Sequence, residues 1–218
     1  MKFKMYKDYF VYIMKHKKNV FKVCWKKGLY IHAITHDLSK FGLSEFKAYA
    51  EWFYGPYGAK MYKPLDSGII MKMKHLQCKG KFDKAWIHHF YKNKHHWDHY
   101  CYDWAKYNKD KRKYIAINIE DYKLEEPVAM PIKYIRQMVC DWDAMSIAFG
   151  GTSLEFYVNN YNKIRLDRLS RLILEEELGI PKEFAVSFLT WEEGCERRGT
   201  TMEEDLNKIL GKQDKKGE

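Results

Sequence analysis

The sequence predicts an all-α protein, and three observations lead there. Proline and glycine are sparse, 5 and 13 among 218 residues, so long segments run without a breaker. Within those segments apolar residues recur at three- and four-residue intervals, the period of a helix with one buried face. No run alternates apolar and polar residues as a half-buried strand does.

The elements follow in order. A first helix is expected over residues 6–27, with Phe10, Ile13 and Met14, then Val20, Phe21 and Cys24, as its apolar stripe. Lys17 interrupts that stripe and Gly28 ends the helix. A second element spans about 29–40. Ser44 is placed to cap a third helix, 45–54, which Gly55-Pro56 stops. Residues 55–68 read as a loop. A helix over 82–106 carries most of the histidines, and 107–126 is charged and irregular. Pro131 opens a helix reaching 149, ended by Gly150-Gly151. Residues 154–178 are amphipathic, and Gly179-Ile180-Pro181 breaks them. Residues 182–210 read as a short helical pair, and the final KQDKKGE as a frayed tail. This gives a helical domain over 1–178 and a C-terminal extension over 179–218.

Composition narrows the class. Apolar residues make up 46% and aromatics 17%, enough for a sizeable core and against wholesale disorder. No apolar run approaches the ~18 residues of a membrane span, and the charged start MKFKMYKDYF lacks the core of a signal peptide. A cytoplasmic protein without membrane partners is expected. Five cysteines, Cys24, Cys78, Cys101, Cys140 and Cys195, form no CxxC pair; an odd, scattered set reads as reduced packing residues. The formal charge of +10 favours polyanions, nucleotides and phosphates. Nucleic acid suits that charge, but no motif for it is present. Oligomeric state leaves no trace in the sequence.

Chemistry concentrates in the histidines. Five of the nine crowd into "HHFYKNKHHWDH", residues 88–99. If 86–100 is one helix at ~100° per residue, His89, Asn93, His96 and Tyr100 share a stripe. His88, His95 and His99 form a second stripe. The first is favoured as inward-facing, because Trp86 extends it. A chain break near Asn93-Lys94 would cancel that phase and make His95 as good a ligand. His32, His75 and His99 are expected to be packing residues.

A second concentration is "THDLSKFGLSEF", residues 35–46. On a helix, His36 and Asp37 point ~100° apart, so only other elements can close a shell around both. His16 lies upstream. Asp141 lies in "MVCDWDAMS" among Met138, Met145 and Ile147, where an acid is costly unless paired or bound to a cation. Asp143 reads as solvated, and Glu45 as an ordinary first-turn helix acid. Trp52 and Phe53 are expected in the core.

His16, His36-Asp37 and Asp141, in that order, resemble the HD-domain metal-dependent phosphohydrolases. "HDLSK" also matches that superfamily in its lysine, Lys40, three residues after the acid. Members with several metals add histidines in the interval that here holds His88, His89, His95 and His96. More closely, "HDLSKFGLSEFKAYAEWFYGP", "FDKAWIHHFYKNKHHWDHY" and "MVCDWDAMS", with the later "FYVNNYNKIRL", resemble an uncharacterised bacterial and phage family, domain of unknown function 5662. That resemblance spans roughly residues 10–175.

The resemblance implies an HD-domain-like helical bundle. It implies one or two divalent metal ions on His16, His36, Asp37, His89, His96 and Asp141. Nitrogen and oxygen donors together suit manganese, iron, zinc, cobalt or nickel. The expected activity is hydrolysis of a phosphate ester on a nucleotide, cyclic nucleotide or related phosphorylated small molecule. Asp37 and Lys40 would be catalytic, and Lys40, Asn93 and His95 would contact substrate. Two other readings use the same residues: a di-iron oxygenase, and a non-catalytic metal-stabilised module binding an acidic partner or nucleic acid.

Overall fold

A computed structural model describes residues 2–60, 62, 63, 68–113, 118–181 and 191–209. The described residues are predominantly helical and hold no β-strand, only an isolated bridge between Tyr102 and Lys123. The all-α expectation holds. The chain forms two compact units, Met1–Lys94 and His95–Glu218.

The first unit contains α1 (Lys2–Lys26), α2 (Tyr30–Thr35), a 3-10 turn (Leu38–Phe41), α3 (Leu43–Tyr54) and α4 (Ile69–Lys92). α1 buries Met5, Tyr9, Ile13, His16, Val20 and Cys24, one narrow stripe at three- and four-residue steps. This corrects the expected stripe, since Phe10, Met14 and Phe21 are exposed. Hydrophobic size pointed to those three, but the stripe that meets α2 and α3 passes instead through Tyr9, a histidine and aliphatic or small side chains. Ala48 and Ala50 on α3 and Ala85 on α4 bring the backbones close, and Phe46, Phe53, Phe82 and Trp86 fill the remaining space. Ile13→Ala would cost about 2–5 kcal/mol, the usual range for emptying a closed core site.

Two local corrections shape the functional region. α3 begins at an extended Gly42, whose carbonyl accepts from Phe46 N at 2.8 Å, and Ser44 lies inside the helix. α2 ends at Thr35, five residues before the expected limit. His36 is its C-cap, and Asp37 is left-handed at φ 54°. Asp37 is the one described non-glycine residue with positive φ, a conformation Asp tolerates better than most residues. The carbonyls left open at the end of α2 are met by Lys17, whose Nζ donates to Ile34 O at 2.7 Å and His36 O at 3.1 Å. The lysine that interrupts the stripe of α1 therefore holds the neighbouring helix end.

The expected helix over 82–106 is also corrected. α4 starts earlier, at Ile69, and stops at Lys92, with Asn93 as its extended C-cap. The backbone N–H of Asn93 donates to His89 O at 2.9 Å and its side-chain amide to the same oxygen at 2.8 Å, so both hold the last turn. His95 and His96 lie outside any helix, so the shared-stripe geometry does not apply to them.

The second unit opens with a 3-10 turn (Trp97–Cys101), followed by α5 (Trp104–Arg112), α6 (Ile132–Phe149), α7 (Ser153–Asn159), α8 (Arg168–Glu177), α9 (Trp191–Arg198) and α10 (Met202–Ile209). α5 straddles the end of the helix expected to 106 and the start of the stretch read as irregular, and is capped by Asp103, which accepts from Lys106 N at 2.9 Å. Pro131 does open α6. The stretch over 154–178 divides into α7 and α8, because Asp167 caps a new helix by accepting from Leu169 N and Ser170 N. Ile135, Met138, Val139 and Trp142 of α6 pack with Leu154, Tyr157 and Leu174. Buried Glu175 accepts from the Tyr157 hydroxyl at 2.6 Å, and Arg171 donates to the same oxygen at 3.1 Å. α9 and α10 match the expected terminal pair, whereas the tail at 212–218 lies outside the described residues. All five cysteines are free and buried. Among the described residues, no helix is long and apolar enough to cross a membrane.

Candidate metal centre

In the first unit, α1, the turn after α2, and α4 bring four predicted ligands together. His16 Nε2 and His36 Nε2 are 3.1 Å apart. Asp37 Oδ2 lies 3.2 Å from His36 Nε2 and 4.0 Å from His16 Nε2. The other carboxylate oxygen, Oδ1, lies 3.4 Å from His89 Nε2. All four residues are buried. The left-handed turn at Asp37 makes this convergence possible: adjacent side chains that diverge on a helix meet here because the helix has already ended.

The arrangement is electrostatically demanding. Lys40 Nζ stands 2.5 Å from Asp37 Oδ2. Burial raises the Asp37 carboxyl, but His36, Lys40 and His89 outweigh it and hold the group well below the usual carboxylate range. Asp37 is therefore an anion at neutral pH, buried among nitrogen donors.

Around these four sits a supporting layer that the sequence reading did not assign. Glu45, read as a first-turn acid, is fully buried and accepts from His89 Nδ1 at 3.0 Å and from His88 Nδ1 at 2.6 Å. Ser39 donates to Glu45 Oε2 at 3.0 Å, and Asn93 donates to Ser39 Oγ at 2.8 Å. A carboxylate holding Nδ1–H leaves Nε2 of His89 with its lone pair turned toward Asp37. Two acceptors facing each other at 3.4 Å repel unless a cation or a proton lies between them. A carboxylate–imidazole pair behind a ligand histidine is also the usual support of a metal site. The donor set fits a divalent transition metal on this ground. His32, expected as packing, presents Nε2 3.3 Å from His36 Nδ1, so it belongs to the same layer. Burial opposes ionisation of Glu45, but hydrogen bonds from His89, His88 and Ser39 and the nearby His89 lower its carboxyl from the ordinary value.

In the second unit, His95, His96 and Asp141 form their own set, with ligand atoms all within 4.8 Å of one another. The imidazole rings are 4.3 Å apart, centre to centre. Asp141 comes from the middle of α6, and the two histidines from the irregular stretch before the 3-10 turn. Next to them, burial pushes the Asp98 carboxyl up to about 7.

A model of one protein family matches residues 5–179. The chain belongs to DUF5662, a family of unknown function. The DUF5662 match takes in both ligand sets and runs from α1 to just past α8. No curated protein and no solved structure matches the chain.

Membership in DUF5662 supplies no chemistry, so the residues must. His75 and His99 keep the packing role expected of them. His75 stacks on Tyr62 at 3.8 Å and places Nδ1 2.8 Å from Tyr57 O, and His99 stacks on Trp104 at 5.7 Å. Trp52 is half-buried and stacks on Phe82 at 5.2 Å. Glu45 had one signal in the sequence, its position near the start of a helix seven residues after His36-Asp37-Leu38. Nothing in that spacing distinguishes an acid facing solvent from one facing α4.

Proposed function

We propose that the protein is a metal-dependent hydrolase of phosphate esters, acting on a nucleotide, a cyclic nucleotide or a related phosphorylated small molecule, and built as an HD-domain-like bundle. One observation carries the reading. The two oxygens of buried Asp37 face different imidazoles, Oδ2 toward His36 and His16 and Oδ1 toward His89. A carboxylate with nitrogen donors on both sides is suited to one ion, or to bridging two. In the first unit the ligands would be His16, His36, Asp37 and His89; in the second, His96 and Asp141, with His95 beside them.

A divalent ion on such donors supplies Lewis acidity and a water acidic enough to lose a proton near neutral pH. The chain's own residues do the remainder. Asp37 orients and neutralises charge within the centre. Lys40 holds Asp37 while remaining partly exposed, its side chain at 16%, so its ammonium can bind a phosphate oxygen as charge builds there. Glu45 fixes the tautomer and tilt of His89. Asn93 commits its amide hydrogens to Ser39 and to His89 O, which leaves its carbonyl oxygen for substrate. The formal charge of +10 draws anionic substrates to the protein. Five free, buried cysteines support a reducing, cytoplasmic setting.

The test joins metal content to turnover. Purified wild type should hold manganese, iron, zinc, cobalt or nickel and hydrolyse bis(p-nitrophenyl) phosphate or cyclic nucleotides. His36→Ala and Asp141→Ala should each lose metal and activity together. Stoichiometric iron with oxygen uptake and no ester hydrolysis would overturn the proposal in favour of an oxygenase. Equal, negligible metal in wild type and variants would remove its basis altogether.

A further inference from the structure

The first unit carries a cavity of about 720 Å³, within the ~300–1,000 Å³ typical of small-molecule pockets. Its walls come from the first turns of α1, the last turns of α3, the Gly55-Pro56-Tyr57 turn and the middle of α4. None of His16, His36, Asp37 or His89 lines it, so it is a different place from the metal centre.

Its chemistry is mixed in an informative way. Met5 and Cys78, each 7% exposed, give it an apolar floor. Three phenol rings, Tyr6, Tyr54 and Tyr57, stand at its side. Among the described residues, Lys4, Lys47, Lys74 and Lys81 line it against two acids, Asp8 and Glu51. Asp8 takes Lys4 at 3.3 Å, and Glu51 is shared between Lys81 at 3.3 Å and Lys47 at 4.0 Å. Lys74 pairs with a tyrosine instead: it donates to the Tyr57 hydroxyl at 3.1 Å and sits 4.9 Å from the ring centre. Among the described lining residues, four ammonium groups against two carboxylates leave an excess of two positive charges.

A dianion with a flat apolar part satisfies all of these features at once. An uncharged ring would leave the excess charge unanswered, and a bare phosphate would leave the floor and phenol rings in water. We infer that this cavity binds an organic phosphate bearing a planar ring, of the nucleoside monophosphate class. The phosphomonoester carries close to two negative charges at neutral pH and meets the lysines, Lys74 foremost. The ring lies against the tyrosines above Met5 and Cys78, where aromatic faces stack.

Calorimetric titration of the full-length chain with AMP tests this. It is run on wild type in EDTA and again on His36→Ala, so that turnover at the metal centre adds no heat. One AMP should bind per chain in both. Lys74→Glu should weaken binding at least tenfold with an unchanged circular dichroism spectrum, and Tyr57→Ala should weaken it with the phosphate contacts intact. If Lys74→Glu does not fold, Lys74→Gln serves in its place with a smaller loss. Adenosine and ribose 5-phosphate should each bind at least tenfold more weakly than AMP. Absence of AMP binding overturns the inference, as does adenosine binding as tightly as AMP. Binding that His36→Ala abolishes and Lys74→Glu spares would place the nucleotide at the metal centre instead. Hydrolysis by the metal centre can fail with this result standing, and the reverse also holds.

Discussion

Asp37 joins backbone geometry to chemistry in a single residue. Its left-handed conformation at φ 54° turns its carboxylate back onto His36 and His16. Asn accepts that conformation nearly as well as Asp, whereas Ala pays roughly 1–2 kcal/mol for it. Asp37→Asn should therefore keep the fold and lose bound metal. Asp37→Ala should lose metal and also melt at a lower temperature, read by elemental analysis and thermal unfolding. Glu45 acts through His89. Glu45→Gln should weaken metal affinity about 10–100-fold, the usual effect of a supporting carboxylate, with little change in helix content. Its pH dependence has a definite sign. The folded carboxyl lies below its ordinary value of ~4.3, so the stability it contributes is present above ~4.3 and is lost as pH falls through the lower, folded value. Acid titration of wild type should show that loss in metal-free protein, and Glu45→Gln should flatten it.

At the scale of elements, helix ends organise the first ligand set. α2 stops at Thr35 and α4 at Lys92, and the functional side chains cluster at or just inside these stops. Lys17 secures the first by donating to Ile34 O and His36 O. Lys17→Met should cost about 1 kcal/mol per lost hydrogen bond and loosen His36, seen as weaker metal retention at unchanged overall helicity. Asn93 secures the second. The same asparagine explains why helical periodicity misled over 82–106. The run of histidines keeps a helical rhythm, but the backbone turns extended at Asn93 and the rhythm beyond it has no structural meaning. α3 shows a milder version: Ser44 is a good capping residue, yet Gly42 takes that position because the 3-10 turn before it delivers the chain in extended form.

For the whole molecule, the proposed metal would couple binding to folding in one equilibrium. A ligand that binds only the folded state stabilises it by about 2.7 kcal/mol at a hundred times its dissociation constant. EDTA should thus lower the melting temperature of wild type, and restored metal should recover it. His36→Ala should melt near the EDTA-treated value with or without metal. The charge of +10 acts over a longer range: KM for a phosphorylated substrate should rise with ionic strength while kcat changes little, because screening weakens capture more than chemistry.

The sequence by itself determined the helical class, the opening of α6 at Pro131, cysteines outside disulfides and the residue types able to hold a metal. Those features are local: they follow from side-chain period, from proline and glycine, and from the chemistry of imidazole and carboxylate. Only the tertiary structure decided which face of α1 is buried, that Asp37 turns left-handed, and that Glu45, His32 and Lys17 touch the candidate ligands or their backbone. Burial and partner choice depend on which surfaces meet. Glu45 on α3 and His89 on α4 are 44 residues apart, and no spacing within either helix reveals that their side chains touch.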